Sequence, residues 1–391
     1  MTPAARVQTA IELLDAVIAA ARGEGAPADR IIADWFRTRR YAGSKDRRAV
    51  RELVYGAIRA CGPLPPGGRA AMLRLAQDDT AIAPLFDGSR HGPAPLRPDE
   101  RPAAGGIAPR WLEVALAASG VERDEMEALL GRAPLDIRIN PLKGQEPELP
   151  LAGERTAAPF ALRYPLGTPV EQWPAFQSGA IEIQDTASQL ACAVTGVCGG
   201  EHVVDLCAGA GGKTLALAAM MDNRGSILAC DTDRTRLSRL MPRAGRAGAA
   251  IIETRLLDPG RELAALADVR GAADLVLVDA PCSGTGTWRR NPEARWRLTP
   301  QQLERYADLQ ARLLELAAQL VRPGGRVVYA VCSLLDAEGA GQVDRFLAAH
   351  GGWRADVPLL AAGEQRGQGL RLLPCRDGTD GFFVARLASP C

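Results

Sequence analysis

Apolar residues recur at helical spacing near the start of the chain, at Val7, Ile11, Leu14 and Ile18, with Glu12 and Asp15 between them. That period predicts an amphipathic helix, not a membrane span or a secretory leader. Helical patterning continues through residues 31–36 and on to about residue 62. Residues 62–109 are rich in Pro and Gly, which predicts a connection with one short helical interlude at 70–77. Residues 111–130 read as helix and 135–143 alternate as a short strand.

From about residue 180 the pattern changes. Short, almost wholly apolar runs at 203–206, 226–230, 251–254, 275–278 and 326–331 alternate with helical stretches, the clearest at 301–320. Such runs fit strands buried on both faces, so the prediction is a doubly wound α/β domain around a parallel sheet. A last strand is expected at 382–387. The expected organisation is 1–62 helical, 63–108 connection, 109–179 a small α+β region and 180–391 the α/β domain.

Composition adds exclusions. At 391 residues the chain is too long for one core. The net charge of +1 does not by itself announce a nucleic-acid partner. A basic run does occur locally, through Arg37, Arg39, Arg40, Lys45, Arg47, Arg48 and Arg51. Taken alone it reads as a solvated helix face, and as a phosphate-contacting surface only if the rest of the chain handles RNA. Nine cysteines form no paired framework and no C-x-x-C, and the three histidines are scattered, so reduced thiols in a cytoplasm are expected and a zinc site is not. Lysine is scarce, with only Lys45, Lys143 and Lys213.

The strand at 203–206 runs into Cys207-Ala208-Gly209-Ala210-Gly211-Gly212-Lys213-Thr214. Glycines there let backbone approach a ligand, and the following helix offers free N–H donors. Three readings stay open on this loop. A P-loop would need a glycine where Cys207 stands, and a dinucleotide fingerprint from Gly209 would need one at Thr214. A methyltransferase loop would use the glycines and an acid at the next strand end, where Asp231 lies.

Two further strand ends carry reactive groups. One delivers Asp279-Ala-Pro281-Cys282-Ser-Gly-Thr-Gly and the other Cys332-Ser333. Ligands bind at this edge of open α/β sheets. Cytosine C5 is a poor nucleophile until something adds to C6, and a thiolate is the side chain best suited to that addition. A carboxyl group can stabilise the charge left on N3.

Together, 207–214, the Asp279-Ala-Pro-Cys282 run and Ala330-Val-Cys332-Ser333 resemble the RNA (cytosine-C5) methyltransferases of the bacterial RsmB (Sun/Fmu) type. Arg289-Arg-Asn-Pro-Glu-Ala-Arg-Trp296, Gln184-Asp-Thr-Ala-Ser-Gln189 and Asp380-Gly-Phe-Phe383 match as well, and the resemblance extends from about residue 105 to the end. The N-terminal helices resemble the NusB-like RNA-binding domain more weakly. The resemblance implies a Rossmann-like class I methyltransferase sheet, S-adenosylmethionine as cofactor, and Cys332 as nucleophile, with Cys282 assisting breakdown of the adduct. It assigns cofactor contacts to 207–213, Asp231, Asp258 and Asp279, with Asp268 the other acid near Asp258 and Asp279 also facing the base. Its implied partner is ribosomal RNA, with transfer RNA possible, and the protein is expected to be a monomer without membrane attachment.

Two departures stand out. Val331 replaces the usual Thr before the nucleophile, which would remove a hydroxyl near the thiol. The usual Pro-Glu-Glu-Asn after it becomes Asp336-Ala-Glu338-Gly. Three alternatives remain open: a DNA cytosine methyltransferase, whose proline–cysteine thiol is itself the nucleophile; a non-catalytic RNA-binding assembly factor; and a P-loop ATPase.

Overall fold

The computed structural model describes every residue except Glu24, Arg40, Val357 and Leu359. The chain forms two compact units, one of residues 1–131 with 287–299, the other of 132–286 with 300–391. These divisions cut the region expected at 109–179 in two. They also assign the stretch after Gly286 to the first unit, although it interrupts the sequence of the second.

The first unit is helical: α1 (Pro3–Arg22), α2 (Ala28–Arg37), α3 (Ser44–Ala60), α4 (Gly68–Asp78), α5 (Arg110–Ala118) and α6 (Arg123–Ala128). The apolar stripe of α1 is buried as its period predicts, with Thr2 capping its first turn. Asp15, on the solvent side of α1, accepts the Gly68 N–H at 2.6 Å and so caps α4. Residues 62–109 are therefore more than a connection: Met72, Ile82, Phe86 and Ala103 join the core of α1–α3. The helix expected over 111–130 breaks between α5 and α6 at Gly120, whose φ of +70° suits only a residue without a Cβ.

Arg295, in the inserted stretch 287–299, is fully buried in this unit. Its guanidinium donates to Ile58 O at 2.7 Å and Cys61 O at 2.8 Å, and also to Pro292 O. It thus adds donors to carbonyls at the end of α3, where, among the described residues, Ile58 O otherwise has only the Cys61 N–H at 3.4 Å. Burial lowers its pKa to about 10, which still leaves it charged at neutral pH.

The second unit holds two sheets. A small antiparallel one has the order β2 (Glu154–Arg155), β3 (Ala161–Tyr164), β1 (Leu135–Ile139), β4 (Ile181–Ile183). The large sheet contains β5 (His202–Asp205), β6 (Ser226–Asp231), β7 (Ile252–Leu256), β8 (Ala273–Asp279), β9 (Val321–Val331), β10 (Arg354–Ala355), β11 (Glu364–Arg366), β12 (Gly369–Leu372) and β13 (Phe382–Ala388). Its order is β11-β12-β13-β9-β8-β5-β6-β7, with β10 on β13. β7-β6-β5-β8-β9 are parallel, and β13 joins antiparallel to β9. β9 begins before the expected residue 326. Val321 pairs with Ala273, Arg322–Gly325 bulge out, and pairing resumes at Arg326.

Alternate strand residues build two layers. Val203, Leu275, Val328 and Ala330 pack with the helices Thr186–Val194, Gly212–Met220 and Leu240–Ala247. Val204, Val276, Tyr329 and Val331 pack on the other face with the helices Pro300–Leu320 and Ala340–Ala349. The chain runs outward from β5 through β6 to β7, then restarts at β8 on the other side of β5. A crevice must open at that reversal, beyond the carboxyl ends of the strands.

Candidate active site at the strand edge

The residues that end β5, β6, β8 and β9 meet at this crevice. After β5 the loop turns through Gly209 (φ +55°) and Gly211 (φ +86°) into the helix Gly212–Met220. A Cβ at Gly211 would lie 2.6 Å from the buried Leu240 side chain, so that position requires glycine sterically as well as conformationally, whereas at Gly209 the Arg236 guanidinium could move aside and the left-handed φ is what favours glycine. Asp231, ending β6, accepts the Gly209 N–H through Oδ2 and the Asp233 N–H through Oδ1, each at 2.7 Å. These bonds join the loop to the neighbouring strand.

A cleft of about 450 Å³ runs from Asp231 and Asp233, past Leu257 and Pro259, to Asp279 and the two cysteines. That volume suits a small organic molecule. The donor set suits a nucleoside-bearing cofactor, with a carboxylate for sugar hydroxyls at one end and apolar walls for a ring. Cys207 lines the cleft too, but burial and then the Asp205 carboxylate push its thiol well above the usual range. It therefore stays neutral and shapes the pocket without offering a thiolate. Asp258 is exposed between the two lining residues Leu257 and Pro259. Asp268 instead pairs with Arg255 at 2.6 Å.

Lys213 donates to Asp279 Oδ2 at 2.7 Å and lies over the Phe382 ring at 5.0 Å. Burial opposes its charge, but Asp279 outweighs burial and its pKa is raised. Beneath this pair, burial pushes the Asp205 carboxyl up to about 7 even though the Thr214 hydroxyl donates to it. The 184–189 run is explained by packing. Asp185 caps the helix Thr186–Val194, and Gln189 donates to Ile137 O in the small sheet. Gln184 accepts from Arg138 and reaches Gly212 O.

Cys282, three residues past the end of β8, and Cys332, just past the end of β9, bring their Sγ atoms to 3.4 Å. The Cys332 thiol and burial push Cys282 well above the usual thiol range, so Cys282 remains protonated. Val331 is fully buried in the layer formed with Pro300–Leu320 and Ala340–Ala349, whereas Cys332 packs against the other layer. A threonine at 331 would consequently direct its side chain away from the thiol. The expected loss of a hydroxyl beside Cys332 is corrected by this alternation.

In the inserted stretch, Arg289 is buried like Arg295 while Arg290 is exposed, so the basic run 289–296 is only in part a solvated charged face. In the first unit, Arg39 stacks over Trp35 at 4.1 Å and Arg47 faces Phe36 at 5.6 Å. Arg40, from the same run, lies outside the described residues. The sequence reading missed Gln310 and the depth at which Glu338 is buried. A retained acid six residues after Cys332 was the available signal.

Among the described residues, no group of three or more His, Cys, Asp or Glu side chains is arranged to hold a metal ion, and no helix is long and apolar enough to cross a membrane. The family model for 16S rRNA methyltransferase RsmB/F matches residues 197–388. A ribosomal RNA small subunit methyltransferase B from Erwinia tasmaniensis is 32% identical over 351 residues, covering 87% of this chain and 77% of that protein. A probable ribosomal RNA small subunit methyltransferase B from Synechocystis sp. is 35% identical over 287 residues; the match takes in 68% of this chain but only 63% of that relative's length. A crystal structure of a methyltransferase homolog protein from Pyrococcus horikoshii superposes with a TM-score of 0.61 at 26% identity, covering 72% of this chain and 99% of that one.

Proposed function

The chain belongs to the RsmB/F family of 16S rRNA methyltransferases, and from that premise we propose that it methylates C5 of a cytosine in 16S ribosomal RNA, using S-adenosylmethionine. The observation that carries the cytosine-C5 chemistry is the pair of thiols 3.4 Å apart at adjacent strand ends, beside Asp279.

S-adenosylmethionine supplies an electrophilic methyl group on a sulfonium. Asp231 and the 207–213 loop hold it, with Asp258 at the margin of the cleft. The Cys332 thiolate adds to C6 of the cytosine, forming an S–C6 bond and pushing electron density toward C5 and N3. The proton released by the Cys332 thiol passes through Asp279, held in place by Lys213, to N3, so that no negative charge is left there. C5 then takes the methyl group as the sulfonium S–CH3 bond breaks, leaving S-adenosylhomocysteine. The C5 proton is lost to solvent and the S–C6 bond breaks with its electron pair returning to Cys332, which restores the ring, and Cys282 assists this last step. The protein acts as a monomer, and its nine free thiols fit a reducing compartment such as the cytoplasm.

Incubation of 16S rRNA transcripts and transfer RNA with labelled S-adenosylmethionine tests the reading. Wild type is expected to label 16S rRNA, Cys282→Ala to accumulate a denaturant-resistant protein–RNA adduct, and Cys332→Ala to do neither. The opposite cysteine pattern would assign the attack to Cys282, as in DNA cytosine methyltransferases. Labelling of transfer RNA alone would move the substrate. Cofactor binding without transfer to any RNA would make the protein an assembly factor.

A further inference from the structure

The chemistry above leaves one buried acid without a task. Glu338 has no exposed surface. Its Oε1 accepts from the Ser283 backbone N–H at 2.8 Å and from Gln310 Nε2 at 3.1 Å. Its Oε2 accepts from Ser333 Oγ at 2.6 Å and from Ser283 Oγ. Ser283 follows Cys282 directly, and Ser333 follows Cys332. Gln310 also donates to Pro281 O at 2.9 Å, on the other side of Cys282. One carboxylate therefore grips both thiol-bearing loops.

Weaker links run in parallel. Thr285 Oγ1 accepts the Leu334 N–H at 2.9 Å, and the Gly286 N–H donates to Cys332 O at 3.1 Å. The Tyr329 hydroxyl anchors Glu338 itself by donating to its carbonyl. Four donors from both loops and from Gln310 converge on this one carboxyl group, which makes Glu338 the dominant link. A buried polar group is unfavourable for packing compared with an apolar side chain of similar volume, so filling space does not account for it.

We infer that Glu338 is a positioning residue that fixes the separation of the Cys282 and Cys332 thiols by clamping Ser283 and Ser333. The inference rests on the methyl-transfer reading for its consequence, though not for its geometry. Misplacing one thiol against the other slows the steps that need both, while RNA and cofactor binding are left nearly intact.

Glu338→Ala is expected to lower kcat about 100-fold, with KM for RNA and for S-adenosylmethionine within about threefold of wild type. Glu338→Gln keeps the shape and one acceptor oxygen, and its NH2 can bond the two serine hydroxyls only if they turn to accept, so it is expected to recover part of the loss. Turnover of Glu338→Ala within about threefold of wild type, or equal impairment of Glu338→Gln, would overturn the inference. Should Glu338→Ala fail to fold, the double variant Ser283→Ala/Ser333→Ala removes the gripped hydroxyls and keeps the acid. Its kcat is expected to fall about 10-fold at unchanged KM, and an unchanged kcat would refute the clamp. Thiol separation is also read without turnover. Diamide removes two hydrogens from a thiol pair, and closure of a Cys282–Cys332 disulfide, followed by peptide mapping, is expected to be about 10-fold slower in Glu338→Ala. An inactive wild type that still closes the disulfide faster than Glu338→Ala would sink the methyl-transfer reading and leave the clamp standing.

Discussion

Arg295 in the helical unit and Glu338 in the sheet unit are both fully buried ionisable side chains held by neutral dipoles. Their partners separate them. Arg295 donates to backbone carbonyls, two of them at the end of α3, so its charge closes a helix and ties a loop to it. Glu338 accepts from groups that flank the two thiols at the strand edge. Burial of a charge thus says little about its role, and the identity of the groups it holds says a great deal.

The comparison breaks if Arg295 turns out to govern chemistry. Arg295→Ala leaves the carbonyls of Ile58 and Cys61 without these donors, and urea unfolding should show a loss of about 4 kcal/mol. Turnover per folded molecule should not change. A fall in kcat at full stability would place Arg295 with Glu338 instead.

Asp205 sharpens the contrast through pH. Its folded pKa of about 7 exceeds the unfolded value near 3.8, so the folded state holds the extra proton between those limits. The stability this contributes is fully present below the unfolded pKa and is lost as pH rises toward 7, by about 4 kcal/mol in all. Unfolding free energy measured between pH 4 and 8 should decline with pH more steeply for wild type than for Asp205→Asn (window from the two pKa values). Parallel curves would mean that Asp205 ionises normally.

Lys213 should behave as a site charge. Lys213→Met leaves Asp279 without its cation, and kcat is expected to fall about 30-fold, equivalent to about 2 kcal/mol. The melting temperature should barely move, because Asp279 remains partly open to solvent. A variant that loses stability without losing turnover would put the pair with Arg295.

The smallest effect is expected at Val331. Val331→Thr places a hydroxyl in an apolar layer and should cost about 1 kcal/mol of stability, with kcat unchanged. A clear gain in rate would mean that position 331 does address the thiol after all.

Much of this was legible in the sequence. The apolar runs of β5, β6, β8 and β9 are nearly continuous because both faces of those strands are covered, and that composition is visible without coordinates. Gly209 and Gly211 could be read as a backbone turning closely into a helix. The strand-end positions of Asp279, Cys282 and Cys332 followed from the same runs. The tie between Arg295 and the end of α3 was not legible, because those partners are more than 230 residues apart in sequence. Nor was the value of Glu338, an acid in a motif that had otherwise diverged.

Local rules acting over a few residues, namely strand period, glycine conformation and the chemistry of each side chain, were enough for the sequence by itself to determine the α/β class and the strand edge on which Asp279 and the two cysteines lie. Only the tertiary structure decided that residues 287–299 belong to the helical unit and that Val331 faces away from the thiol. It alone showed one carboxylate gripping the loops of Cys282 and Cys332. Those features depend on which distant backbone and side-chain donors come within 3 Å of each other, and that distance is set by the packing of whole layers.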